Sequence, residues 1–342
     1  MDIQAAIRQL VAGQDLSDAE ASHVMREIMT GQCTDAQIGA FLVAQQIKGV
    51  ATAELLGAAR VMRELATPVQ LGSREHLVDT CGTGGTGTNT FNISTASAMV
   101  AACAGARVAK HGNRGATSKS GSADVLEQAG VNLSISAEQV AQCLDELGVG
   151  FMFAPGHHSA MKHVIGPRKQ IGVRSIFNML GPLTNPAGAP NQVMGVFDAV
   201  WIQPVLEVLK GLGSDHVLVL ASEDGLDEIS TAATTHVGEL KDGVISTYEI
   251  TPEMFGMPLR SDYQALQVES PEQSLVLLRQ ALANENLEAT DIVALNAGAA
   301  IYAANLTDDL SAGVEKAKSI LASGAALQKL NDLATLTRSF SE

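Results

Sequence analysis

The sequence predicts an α/β protein: a small all-helical N-terminal domain plus a larger α/β domain, its mostly parallel central sheet flanked by helices. Three observations predict it. Apolar residues keep a helical period through roughly the first seventy positions. From about residue 74, short apolar runs alternate with helical windows, as parallel strands joined by crossover helices require. Glycine-rich loops follow two of those runs, at the strand ends where open α/β sheets bind ligands.

Ile3, Ile7, Leu10 and Val11 form the first helical stripe. Ser17 precedes Glu20, and Thr34 precedes Gln37, at capping-box spacing, so each pair starts a helix. Their stripes run through Val24, Met25, Ile28 and Met29, and through Ile38, Phe41 and Leu42. Thr52 opens a fourth helix, through Leu55, Ala59 and Met62, closed by Pro68. Beyond it, "HLVDTC", "ARVAKHG", "VGFMFAP", "NQVMGVF" and "DHVLVLAS" read as buried strands. "STASAMVAACAGA", "GSADVLEQAG", "SAEQVAQCLDELG" and "WIQPVLEVLKGLG" read as the helices between them. "VGELKDGVISTYEI" reads as a hairpin turning at Asp242-Gly243. "HSAMKHVIGPRKQIGVRSIFNMLGPLTNP" breaks the alternation and looks helical. The helical domain is therefore drawn as residues 1–73 with about 157–182 returning to it, and the α/β domain as 74–156 and 183–342.

The chain has 342 residues and a net charge of −15, which argues against a general grip on nucleic acid, where Lys and Arg must replace counterions. The N-terminus lacks a basic stretch followed by an apolar one, and no apolar run approaches the roughly 18 residues of a membrane span. Cys33, Cys81, Cys103 and Cys143 form no C-x-x-C pair and read as reduced thiols. The expectation is a soluble, cytoplasmic protein.

Two loops carry the chemistry. "DTCGTGGTGTNTFNIST" joins a strand to a helix, so that bare amides and the helix dipole favour an anion. Asn92, Ser94 and Thr95 supply capping and hydroxyl groups there. No Gly-Lys-Ser/Thr ends the loop, so it is not a P-loop. A dinucleotide fingerprint lacks its acid about twenty residues on, where Arg107 and Lys110 stand instead. A phosphate or diphosphate fits better. The second loop, "KHGNRGATSKSGSADVLE", places Lys110, His111, Arg114 and Lys119 within one short stretch as four potential cations, with Ser118, Ser120 and Ser122 as further donors. His157, His158 and His163 lack an accompanying Cys or acid cluster and read as pocket-lining or surface histidines rather than metal ligands.

"GTGG…NIST", "KHGNR…SKSGSAD", "GPLTNP" and "GLDE", in this order, resemble the anthranilate phosphoribosyltransferases, over essentially the whole chain. The resemblance implies a helical domain and an α/β domain with the active site in the cleft between them. It implies transfer of phosphoribosyl from phosphoribosyl diphosphate (PRPP) to the amine of anthranilate, an early step of tryptophan biosynthesis. Residue by residue, it implies that Gly82, Gly85, Thr86, Thr90, Asn92, Ile93, Ser94 and Thr95 contact PRPP. Lys110, His111, Gly112, Asn113, Arg114, Gly115, Ala116, Thr117, Ser118 and Ser122 form the second wall. Gly82, Asn113 and Arg168 hold anthranilate, and Ser94, Asp227 and Glu228 bind magnesium, two ions assembled with the diphosphate. Lys110, His111 and Arg168 act by charge and orientation; no residue is assigned as general acid or base. A homodimer paired through the helical domain is also implied. One departure stands in the loop: Thr86 occupies the place of an acid in the family's GTGGDG. The rival readings are a pyrimidine nucleoside phosphorylase, which shares the architecture, and a non-catalytic nucleic-acid-binding relative of the fold.

Overall fold

The computed structural model describes residues 1–115 and 118–340. Four helices come first: α1 (Ile3–Val11), α2 (Asp18–Met29), α3 (Asp35–Lys48) and α4 (Thr52–Glu64). Both capping boxes form, at Ser17 with Glu20 and at Thr34 with Gln37. Then follow β1 (Leu77–Gly82), α5 (Ile93–Cys103), β2 (Arg107–Gly112), α6 (Ser122–Gln128), α7 (Ala137–Leu147) and β3 (Val149–Phe153). The chain returns to helix in α8 (Ala154–His157), α9 (Lys162–Ile171) and α10 (Phe177–Leu180). It resumes with β4 (Asn191–Gly195), α11 (Ile202–Gly211), β5 (His216–Ser222), β6 (Thr235–Lys241) and β7 (Val244–Ile250). Four helices finish it: α12 (Pro271–Leu282), α13 (Leu287–Ala303), α14 (Leu310–Ser323) and α15 (Ala325–Ser339).

The strands form one sheet in the order β3-β2-β1-β4-β5-β6-β7. The first five are parallel, and β6 and β7 add as an antiparallel hairpin. Asp242 and Gly243 both take positive φ, 51° and 73°, as a type I′ turn demands. Parallel strands release their C-terminal ends on one side, so the loops after β1, β2, β4 and β5 emerge together.

One face of the sheet is covered by α5 and the C-terminal helices. Among these, α13 runs behind β1, β4 and β5, and nearly all its residues are buried. The other face is covered by α11, whose core is continuous with that of α1–α4. α9 packs on α3, and α10 packs on α4, so the returning segment lies against the first four helices.

Candidate active site

Three loops meet at the C-terminal ends of the strands: 82–92 after β1, 112–121 after β2, and 223–234 after β5. Their meeting point is set by close backbone approach. A Cβ on Gly195 would stand 1.7 Å from the Asp227 carbonyl oxygen, and one on Gly82 would stand 2.3 Å from Asp227 Oδ2. The Gly195 contact is with backbone, so only glycine there lets the acidic loop cross over β4, whereas the Asp227 carboxylate beside Gly82 is the movable end of a side chain.

The first loop leaves several backbone amides without a partner among the described residues. The Gly84 amide donates to Asp227 Oδ2 at 3.0 Å. The amides of Gly85, Thr86 and Gly87 make no hydrogen bond among the described residues. Asn92 is the N-cap of α5, but it does not cap it with its side chain. Its amide instead ties three elements together: Oδ1 accepts from Ser120 Oγ and Ser274 Oγ, each at 2.7 Å, and Nδ2 donates to the Ser120 carbonyl at 3.2 Å. The first-turn amides of α5 are taken up elsewhere: Ile93 donates to the Phe91 carbonyl at 2.8 Å, Thr95 to the Asn92 carbonyl at 3.1 Å, and Ser94 to Glu228. Thr86 Oγ1 is 2.8 Å from Thr88 Oγ1, a bond between neighbouring hydroxyls that steadies the turn. Thr90 pairs with Gln267 in an isolated bridge, and Ile93 and Thr95 are buried in the first turn of α5.

The acidic loop presents Asp227 and Glu228 beside each other. Glu228 accepts from both the backbone and the hydroxyl of Ser94. Burial, reinforced by the Asp227 carboxylate, pushes the Glu228 carboxyl up to about 8. Burial also raises Asp227. Lys110 is the cation beside them. Its Nζ donates to the Thr80 carbonyl and, at 3.2 Å, to Ser94 Oγ. Burial lowers its pKa, against the pull of Asp79.

The second loop departs from the expectation of four free cations. Lys110 is only 2% exposed and is turned inward, beneath Ser94. Burial holds His111 down to about 3, so its imidazole is neutral; its ring packs 5.1 Å from that of His158. Arg114 forms ion pairs with Asp124 and Glu127, at 3.1 and 2.7 Å. Lys119 pairs with Glu269. Asp124 also accepts the Gly115 and Gly121 amides at 2.9 Å each, which closes the loop on itself. Gly112 lies tight beside Ser122, whose Oγ reaches the Asn113 carbonyl, and Ser118 bonds the Ser120 carbonyl. Ala116 and Thr117, expected in this wall, lie outside the described residues.

Arg168, on α9, lies over the Phe177 ring at 5.3 Å. Among the described residues no carboxylate stands within ion-pair distance of it, and burial lowers its pKa. Sequence reasoning missed its neighbour Arg174. That guanidinium donates to the Gly85 carbonyl and lies 4.6 Å over the Phe197 ring, joining the returning helical segment to the glycine loop. His157 and His158 are buried, and His163 packs beside Gly31 in the helical bundle. Among the described residues no group of three or more His, Cys, Asp or Glu is arranged to hold a metal. Two crowded carboxylates with one hydroxyl do suit magnesium, which takes few protein oxygens and completes its shell with phosphates and water.

Residues 74–327 match the glycosyl transferase family a/b domain, and residues 4–66 match the helical bundle domain of the same family. The anthranilate phosphoribosyltransferase of Hahella chejuensis is 57% identical, over 100% of this chain and 99% of its own. The crystal structure of the anthranilate phosphoribosyltransferase from Thermus thermophilus aligns with a TM-score of 0.91 at 42% identity, covering 97% of this chain and 99% of that one. The Saccharomyces cerevisiae enzyme, solved in complex with PRPP and Mg, shares the fold with a TM-score of 0.89 at 24% identity, over 98% of both chains.

Proposed function

The chain belongs to the anthranilate phosphoribosyltransferase family, and we propose how its cleft performs that reaction: transfer of the 5-phosphoribosyl group from PRPP to the amine of anthranilate, releasing diphosphate in tryptophan biosynthesis. Its relatives are transferases, which favours this reading over phosphorolysis and over nucleic-acid binding. The observation that carries the reading is the junction of the open glycine amides with the Asp227–Glu228 pair, joined through Gly84 and Ser94.

PRPP lies along the first loop. The amides from Gly85 to Gly87 face its diphosphate, with Gly82, Thr86, Thr90, Asn92, Ile93, Ser94 and Thr95 shaping the wall. Asp227, Glu228 and Ser94 hold magnesium, two ions assembled with the diphosphate. Magnesium, when bound, neutralises the charge on the departing diphosphate, the kind of electrostatic stabilisation that is usually the largest catalytic contribution. Lys110 acts through Ser94 and Glu228, fixing both from below. The second wall, from Gly112 to Gly115 with Ser118 and Ser122, encloses the ribose side.

Anthranilate's aromatic amine is uncharged near neutral pH, so no strong general base is required. Arg168 faces its carboxylate with a guanidinium fork. Asn113 and Gly82 border the ring, and neutral His111 adds a wall without a competing charge. Placing the amine over C1′ supplies the orientation. We further infer a helical domain of residues 1–73 with about 157–182, an α/β domain of 74–156 and 183–342, and a cytoplasmic homodimer paired through the helical domain. Exposed Val11 and Ile47 on the helical bundle support that pairing.

The test is to mix purified protein with PRPP, Mg²⁺ and anthranilate and follow anthranilate fluorescence. Fluorescence falls only when all three are present. Phosphate-dependent cleavage of uridine or thymidine, with anthranilate untouched, overturns the reading.

A further inference from the structure

We propose that Asn296, in the middle of α13, is a positioning residue for the Asp227–Glu228 metal site. The inference rests on the reading that these acids hold a divalent cation.

α13 is otherwise built to be buried. Its sequence around this point, "IVALNAGAAI", is apolar or small on every side, and Asn296 is 3% exposed. A buried primary amide is costly unless its groups are paired. Asn296 spends them on one residue of the acidic loop. The Ile229 amide donates to Asn296 Oδ1 at 2.8 Å, and Asn296 Nδ2 donates to the Ile229 carbonyl at 3.0 Å. The same Nδ2 also donates to the Ile292 carbonyl, one turn back on the helix, at 2.9 Å, which fixes its rotamer. The side chain thus treats Ile229 as a neighbouring strand would, with one donor and one acceptor.

Ile229 directly follows the two acids. On either side, Ser222 Oγ donates to the Glu228 carbonyl at 2.7 Å, and the Ser230 amide donates to Thr235 Oγ1 at 3.2 Å. Three successive backbone units are therefore held by side chains, and Asn296 alone supplies both bonds of the central one. Asn296 also lines a cavity of about 10 Å³ with Glu228, Ser94 and Thr80, so it stands directly under the site. A free loop carrying two crowded carboxylates relaxes by turning one of them to solvent. The Asn296 clamp prevents that, and keeps both side chains aimed past Gly82 and Ser94.

The experiment titrates Mn²⁺, followed by electron paramagnetic resonance, into protein with inorganic diphosphate. It compares wild type, Asn296→Ala, Asn296→Leu, the core truncation Val293→Ala on the same helix, and Asp227→Asn with Glu228→Gln. Hydrogen exchange of the Ile229 amide is measured on the same samples. Loss of Asn296 weakens Mn²⁺ binding about 10–100-fold, the usual cost of removing a group that orients a ligand. It also speeds Ile229 exchange, whereas Val293→Ala lowers the melting temperature and leaves Mn²⁺ affinity unchanged. Asn296→Leu fills the volume without the hydrogen bonds and behaves as Asn296→Ala does; if the alanine variant does not fold, the leucine variant decides. Wild-type Mn²⁺ affinity in the Asn296 variants, or equal weakening in Val293→Ala, overturns the inference. Should wild type and the acid double variant bind Mn²⁺ alike, the metal reading itself fails and takes the inference with it.

Discussion

The basic loop at 110–119 and the acidic loop at 223–230 stand at the same end of the sheet and treat their charges in opposite ways. Each cation of the first is already answered or silenced: Lys110 by burial under Ser94, His111 by desolvation, Arg114 by Asp124 and Glu127, Lys119 by Glu269. The acids of the second are pressed together, with Lys110 as the cation pulling on Glu228. In a protein of net charge −15, a highly anionic substrate is met, in the proposed reading, by backbone amides and by a place for metal ions rather than by a patch of basic side chains. A count of charges along the sequence does not show which of them are free, because a charge is available to a ligand only if the fold has not already paired it.

The largest effect expected from breaking this contrast comes from the acids. Asp227→Asn with Glu228→Gln lowers turnover at least about 10²–10³-fold, as removal of one charge-stabilising group does. Steady-state rates against Mg²⁺ concentration check it, and wild-type turnover with unchanged magnesium dependence refutes it.

The silenced imidazoles come next. His111 and His158 are held to about 3 and about 4 by burial, while an unfolded histidine protonates near 6.5. The unfolded chain therefore binds protons that the folded one refuses. Stability is full above pH 6.5 and falls as pH drops from there, toward 4 for His158 and toward 3 for His111, by on the order of 1 kcal/mol per pH unit for each imidazole. Urea unfolding across that range measures the slope, and His111→Asn makes it shallower. A slope unchanged by that substitution would mean His111 is charged in the fold.

Arg168→Ala raises KM for anthranilate by about thirtyfold, some 2 kcal/mol, at the low end for truncating one partner of a charge pair because the site is only half-buried. PRPP affinity stays put. Equal damage to both substrates would assign Arg168 to holding helices instead. The smallest effect belongs to Arg114, whose alanine variant changes PRPP affinity by no more than about twofold, since its partners are Asp124 and Glu127 in an exposed cluster.

Much of this molecule is legible in its sequence. The strands, the capping boxes and the hairpin turn are set by local chemistry, and the structure places them where period and turn residues predict. The helix α13 is not legible in the same way: a helix buried on all sides has no polar face, so its period is silent. The same silence hides Asn296, whose partner Ile229 is 67 residues away, although a lone amide in an apolar run is a signal worth following. Asn92 is expected from sequence to cap α5; it bonds Ser120 and Ser274 instead, through contacts that only the fold brings together. Arg174 escapes sequence reasoning because nothing local ties residue 174 to Gly85.

In the proposed reading, metal and amides grip PRPP and the basic loop does not. Calorimetric titration of PRPP with and without Mg²⁺, in wild type, Arg114→Ala and the Asp227→Asn/Glu228→Gln variant, tests it most directly. Binding is expected to strengthen with Mg²⁺ in wild type and Arg114→Ala alike, and to lose its magnesium dependence in the acid variant. Magnesium-independent binding that disappears with Arg114 would contradict it.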